Sequence, residues 1–364
     1  MIYTLAIDWL NIFCVYEGEG TWAPVEIPNG LRYKREPFGT RCFSTFYRVR
    51  MPNEEGGWDE FAEIQADPYP GNVLPEYVVM VRFVNRTLYL PNFWEWADYL
   101  LELNHLSCRS ISRIDICADF NDFATISPRK LIEGFAAKEL RHIGRGVGAL
   151  YFDHGKGVER DEHDKPIEDY GVRYNGVSFG THASDSHVYL YNKSEELRTQ
   201  GDKPWIKDTW IQAGLDIRHV WRLEVSIKSK GLKFRDRKTK TNIEVDKEMV
   251  MESSALDKIY HTFVKKLFSF CVNRKGITNI SREPKIVLFE GRPAYDRCCI
   301  RNISAGDRME KILIKSLYQL SDRYRGLYHG REMSQEFAER LSYATGLHDW
   351  LEEKKLGWET PIHK

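Results

Sequence analysis

Residues 112–120 read Ser-Arg-Ile-Asp-Ile-Cys-Ala-Asp-Phe, and this alternation constrains the chain more than any other feature. Successive side chains of a strand point to opposite faces. Asp115, Cys117 and Asp119 therefore share one face, and Ile114, Ile116 and Ala118 the other. Two further segments repeat the pattern. In Val-Trp-Arg-Leu-Glu-Val-Ser-Ile-Lys (220–228), Arg222, Glu224 and Ser226 oppose Leu223, Val225 and Ile227. In Ser-His-Val-Tyr-Leu-Tyr-Asn-Lys (186–193), His187, Tyr189, Tyr191 and Lys193 fall on one face. Strands with one apolar and one polar face belong in a mainly antiparallel sheet.

Around these three segments the chain alternates strands and helices, which predicts an α+β fold. Strand patterns cover Tyr3–Tyr16, Thr40–Met51 and Tyr77–Leu90. Asn92 with Glu95 forms a capping-box pattern, so a helix is expected to about Asn104. Ser127-Pro128 suits an N-cap with proline at the first helical position, and a helix is expected to about His142. The polar stretch 154–171 reads as a long loop or an extended hairpin tip. From about Asp246 the pattern turns helical, with Leu256, Ile259, Tyr260, Phe263 and Leu267 on one stripe. Ile312, Leu313, Leu317 and Leu320 form another such stripe, as do Phe337, Leu341 and Ala344. Two regions are expected, residues 1–245 and a mostly helical 246–364. No internal repeat is visible.

Composition narrows the functional classes. The chain has 53 basic and 53 acidic residues and no net charge, which argues against a protein that coats DNA non-specifically. The charges are clustered, however. Residues 51–71 hold six acids and no Lys or Arg, a run that suits a solvated hairpin or loop. Residues 228–240 hold seven bases and one acid. No apolar run reaches membrane-spanning length, and the N-terminus lacks a signal-peptide pattern. Seven cysteines at irregular spacing suit a reducing cytoplasm, the expected location. The sequence contains no His-x-His pair, no phosphate-binding Gly-rich loop with Lys-Ser/Thr, no Gly-x-Ser-x-Gly and no His-Glu-x-x-His.

The candidate chemistry lies on the polar strand faces. Asp115, Asp119 and Glu224 together suggest an oxygen-rich site for Mg²⁺ or Mn²⁺. Four residues of strand span roughly 13 Å, so Asp115 and Asp119 reach one ion only if the strand bulges. Asp119 also suits a turn at Asp119–Asp122, and Glu224 beside Arg222 suits a cross-strand ion pair. Asn192 can cap the helix after Tyr191, with Glu195 as its partner. Tyr191 would then precede a helix N-terminus, a natural seat for phosphate, with Lys193 adding positive charge. Tyr191 is the candidate nucleophile and Tyr189 its rival. A packing role for both also fits the residues alone.

The ordered set resembles a family, the trans-acting replication initiation factors of rolling-circle elements. The resemblance rests on Arg113, Asp115 and Asp119; on Phe179, Gly180 and Ser184; on Tyr191, Lys193 and Glu196; and on Arg222 and Glu224. The opening Ile7–Phe13 is similar to the family's first strand. Together these cover roughly residues 5–230, while the longer 154–171 stretch and the helical last third depart from the family pattern.

The resemblance implies a fold related to histidine-metal nickases, with carboxylates replacing the histidines. It implies a metal-dependent tyrosine endonuclease and ligase that forms a 5′-phosphotyrosine link and frees a 3′-OH primer. Lys193 would assist Tyr191, and Glu224 with Asp115 or Asp119 would hold the metal. Arg113, Ser184, Arg222, Lys228, Lys230, Lys233 and Arg235 would bind DNA. The expected role is initiation of rolling-circle replication in a phage, plasmid or integrative element. Its expected partners are single-stranded or supercoiled origin DNA, host helicase and polymerase, and a second copy in a homodimer, with no membrane. The rival readings are a conjugative relaxase with the same chemistry, a non-enzymatic DNA-binding protein on the same fold, and an unrelated α+β enzyme acting on another phosphate ester.

Overall fold

The structure is a computed structural model, and it describes residues 1–27, 30–69, 74, 77–144, 148–154, 159–160, 166–167, 172–181, 183–235, 242–274, 283–291 and 299–300. Ten strands form one antiparallel sheet: β1 (Thr4–Tyr16), β2 (Arg32–Arg35), β3 (Phe43–Pro52), β4 (Trp58–Pro68), β5 (Val78–Phe83), β6 (Leu106–Phe120), β7 (Gly148–His154), β8 (Val172–Phe179), β9 (Ser186–Asn192) and β10 (Trp221–Lys228). Their order is β2-β3-β4-β5-β1-β6-β10-β9-β8-β7.

That order contains a repeat that the sequence does not display. In the first half, a long strand, β1, is followed by a four-strand meander from the sheet edge, whose last strand, β5, pairs with β1. In the second half, β6 is followed by the same kind of meander, and β10 pairs with β6. The two long strands pair antiparallel and form the seam between the halves.

Among the described residues six α-helices accompany the sheet: α1 (Phe93–Leu103), α2 (Pro128–Ala136), α3 (Lys193–Gln200), α4 (Pro204–Gln212), α5 (Lys247–Met251) and α6 (Ser253–Leu267). The apolar strand face is covered by α1, α2 and α6. Leu10, Ile12, Ile114, Ile116, Leu223 and Val225 pack there with Phe93, Leu100, Ile259 and Phe263 in one core. Each fully buried side chain of this kind contributes about 1.5–3 kcal/mol. Tyr260 donates a buried hydrogen bond of 2.9 Å to the Leu223 carbonyl, tying α6 to β10. A smaller core lies on the opposite face, at one end. There Leu197, Ile206, Trp210, Leu215 and Val220 gather with Tyr89 and Trp205.

Several local outcomes differ from the sequence pattern. The strand expected to reach Leu90 ends at Phe83, and residues Asn85–Tyr89 form a 3-10 turn. The α2 helix stops at Ala136 rather than near His142. Lys138 takes a left-handed φ of 61°, and Leu140–His142 pairs with Phe270–Val272 instead. Its start is as expected, with the Ser127 hydroxyl accepting from Lys130 N. Asn92 precedes α1 but makes no side-chain cap.

The acidic run is no loose loop. Most of it is β4, whose acids face basic strands: Arg48 meets Glu60 at 3.5 Å, Arg82 meets Glu63, and Arg86 meets Asp59 at 3.2 Å. Within 154–171, Glu159–Arg160 pairs with Pro166–Ile167, a hairpin tip.

Met1–Asn72 and Glu76–Ile300 form one compact unit, which continues past residue 245. A second unit comprises Val73–Pro75 and Arg301–Lys364. The expected helices after residue 301 lie outside the described residues. Among the described residues no helix is long and apolar enough to cross a membrane.

Candidate active site at Tyr191

The polar face of the sheet is ordered in rows by strand register. Asp119, Arg222 and Tyr191 are direct cross-strand neighbours on β6, β10 and β9. In the next row stand Cys117, Glu224 and Tyr189, and beyond it Asp115, Ser226 and His187. The pairing of β6 with β10 runs from residue 113 to 120 without a shift. Asp115 and Asp119 therefore stay about 13 Å apart, as the strand rise requires.

Tyr191 is the last strand position but one before α3. Asn192 caps that helix as its sequence predicts, its side chain accepting from Glu195 N at 3.0 Å. The half-buried Tyr191 hydroxyl donates to Glu224 Oε2 at 3.2 Å. It also accepts from Lys193 Nζ at 3.3 Å. Lys193 is buried and forms an ion pair with Glu196 one helical turn on, and its ammonium lies 5.4 Å from the Tyr191 ring centroid. Tyr189 stacks on Tyr191 at 4.5 Å between centroids.

Electrostatics divide the proton between these groups. Burial first, then the Asp8 and Asp115 charges, raise Glu224 from the ordinary carboxylate range to about 7, against Arg222 and Lys193. Burial, and then the Glu224 charge, push the Tyr191 phenol well above its usual value. Both shifts favour the neutral form, so the phenol keeps its proton at neutral pH while Glu224 changes between carboxyl and carboxylate near pH 7.

Beside this trio lies a closed ionic knot. Arg222 is 0% exposed. Its Nε and Nη2 donate to the two oxygens of Asp119 at 2.7 and 2.8 Å, and its Nη1 donates to Asp8. Trp210 Nε1 adds a bond of 2.7 Å to Asp119. Tyr89 and Asn85 donate to Asp8 Oδ1 at 3.0 and 3.1 Å. Burial opposes ionisation of Asp8, but Arg222 and Lys193 outweigh it and hold its carboxyl well below the usual range. Asp8 follows Ala6, the partner of Cys117, onto this face by alternation, and the register shift between Ile7 and Trp9 brings Trp9, the partner of Asp115, onto it as well.

Several sequence expectations change here. Asp119 has both oxygens committed to Arg222 and Trp210, so it is an ion-pair residue rather than a free metal ligand. Arg222 is enclosed and offers nothing to DNA. Asp115 is engaged by Arg113, whose Nε donates at 2.9 Å. Among the described residues no three His, Cys, Asp or Glu side chains gather as a metal-binding group. The carboxylates present are matched to arginine, lysine or tyrosine, and they do not fit a resident Mg²⁺ or Mn²⁺ in this arrangement.

The helix mouth is occupied as well. Lys193 N and Ser194 N both donate to the Val220 carbonyl, at 2.9 and 3.1 Å, so no phosphate seat is open there.

The other expected DNA contacts lie elsewhere. Arg113 and Lys228 are cross-strand neighbours two rows from Glu224. Ser184 sits in the β8–β9 turn with Thr181, at the far end of β9 from Tyr191. Lys230 is exposed in a turn, and Lys233 pairs with Glu244 at 2.5 Å. The Arg235 side chain lies outside the described residues.

Sequence reasoning missed Asp8, Asn85, Tyr89 and Trp210. Only Asp8 carried a signal, an acid inside an apolar strand, like Asp115.

No protein-family model matches the chain, and no curated protein matches it. Among solved structures it is similar to a rolling circle replication initiator protein from Geobacillus stearothermophilus. The identity is 14%, the TM-score 0.42, and the match covers 78% of this chain and 92% of that one.

Proposed function

We propose that the chain is a rolling-circle replication initiator that cuts and rejoins single-stranded DNA through Tyr191. The observation that carries this reading is the Tyr191 hydroxyl held between Glu224 Oε2 at 3.2 Å and Lys193 Nζ at 3.3 Å. That trio is a nucleophile with a base and a cation on the same oxygen. The ordered resemblance of the surrounding segments to initiation factors supplies the substrate class.

In this mechanism the Tyr191 oxygen attacks the scissile phosphorus as its proton passes to Glu224. Lys193 stabilises the charge that develops on the phenolic oxygen. The bond from phosphorus to the 3′-oxygen breaks, and the departing oxygen takes a proton from solvent. A 5′-phosphotyrosine link and a free 3′-OH result. Return of a 3′-OH to the phosphotyrosine reverses the step, and the proton returns to Tyr191. Because the link conserves the phosphodiester, rejoining needs no nucleotide triphosphate.

The test is a covalent adduct with labelled single-stranded DNA from the element's own origin, assayed with and without Mn²⁺. Tyr191→Phe should give none. An adduct that persists in Tyr191→Phe moves the nucleophile, with Tyr189 first in line. Binding without an adduct on any origin sequence favours a DNA-binding protein on the same fold.

A further inference from the structure

One strand beyond Asp115 on the same open face, Trp9 lies between two guanidinium groups. Arg82 Cζ is 4.9 Å and Arg113 Cζ 4.8 Å from its ring centroid. The register builds this clasp. Asn11, two residues from Trp9, pairs with Arg82 on β5 and with Arg113 on β6. Each arginine is held by a carboxylate, Arg82 by Glu63 and Arg113 by Asp115. Both remain about one-third exposed, at 35% and 37% of their side-chain surface.

Beneath these arginines, Trp9 Nε1 and Asn11 Oδ1 are closed off from solvent, and neither has a hydrogen-bond partner. A buried donor or acceptor left unpaired is costly, and such groups are rare in folded proteins. Here one of each kind occurs on the same strand, two residues apart. A nucleotide presents both complements, a base amino donor and sugar or phosphate oxygen acceptors. Indole and guanidinium planes are also surfaces on which an unpaired base stacks regardless of its identity.

We propose that the Arg82–Trp9–Arg113 clasp is a subsite for one unpaired nucleotide of the strand cut at Tyr191, which rests on the reading of Tyr191 given above. The base stacks on the indole as one arginine lifts away. A base amino group meets Asn11 Oδ1, a ribose or phosphate oxygen of the same nucleotide accepts from the Trp9 N–H, and the lifted guanidinium meets the neighbouring phosphate.

The test uses the full chain and a short oligothymidylate carrying 5-iodouracil at successive positions. Irradiation should link the oligonucleotide to the peptide that contains Trp9. In the Tyr191→Phe background, which cannot form the adduct, adding Trp9→Leu should weaken oligonucleotide binding about tenfold in fluorescence anisotropy. Trp9→Phe keeps a ring without the N–H and should fall between. Cross-links that never include the Trp9 peptide overturn the subsite, even where the Tyr191 adduct forms. A folded Trp9→Leu chain that binds unchanged does the same. If Trp9→Leu does not fold, the cross-link decides. Cross-linking at Trp9 with no adduct on any origin sequence overturns the nicking reading and leaves the subsite standing.

Discussion

Tyr191 and Glu224 stand on neighbouring strands, one row apart, with the phenol donating to the carboxylate across 3.2 Å. Their pairing makes the first prediction one of specificity between two tyrosines. Tyr191→Phe should abolish the covalent DNA adduct and change stability by no more than about 1 kcal/mol, the net worth of one hydrogen bond. Tyr189→Phe keeps the stacked ring and should keep the adduct. Denaturing gels of labelled DNA, with melting curves for both variants, provide the check.

Glu224 also sets a pH dependence. Its folded-state value of about 7 lies above the ordinary carboxylate range, so the folded chain holds this proton more tightly than the unfolded chain. Its contribution to stability is present below the ordinary carboxylate value and is lost as pH rises through about 7. Cleavage should instead rise through that same pH, because only the ionised carboxylate accepts the Tyr191 proton. Glu224→Gln should lose cleavage at all pH values. It should also flatten the loss of stability between acidic and mildly alkaline buffer, read from denaturant midpoints.

Buried Lys193 and half-buried Glu196 form an ion pair whose two members answer to different measurements. Lys193→Met should slow adduct formation by about 10²-fold, the usual scale for losing a group that stabilises developing charge. It should also cost about 1–3 kcal/mol, because Glu196 is left unpaired. Adding Glu196→Gln should recover stability but not rate. A double variant that regains rate would make Lys193 a structural residue.

Arg222 and Asp119 should behave as architecture. Arg222→Met leaves Asp119 and Asp8 without their shared cation and should cost about 3–5 kcal/mol. Melting should fall by several degrees or more. Asp119→Asn should also destabilise. Any Mn²⁺ affinity that calorimetry detects should be the same in Asp119→Asn as in the unaltered chain, since the Asp119 oxygens are already taken by Arg222 and Trp210.

What the sequence discloses and what it conceals follow from distance along the chain. The alternation in residues 112–120 and 220–228 placed Asp119 and Arg222 on the polar face, and the Asn192 pattern set Tyr191 before a helix. These are local signals, carried by a period of two and by one capping side chain. The partner of each charge is not local. Arg222 meets Asp119 and Asp8 across 103 and 214 residues of sequence, and a run of letters gives no measure of that approach. Hence Asp119 read as a ligand when it is a counter-ion. The helix mouth read as open because the Val220 carbonyl that fills it arrives from another strand. The bulge at Asp8 leaves no mark in composition at all.

The doubled topology has a consequence for synthesis. A ribosome releases β9, with Tyr191, before it has made β10, with Glu224 and Arg222. Until β10 slots between β9 and β6, the phenol has no carboxylate partner, and Asp8 and Asp119 have no shared cation. A nascent or truncated chain therefore carries the proposed nucleophile without its carboxylate partner. On the proposed reading of Tyr191, cutting waits until the last strand of the second meander closes onto the seam.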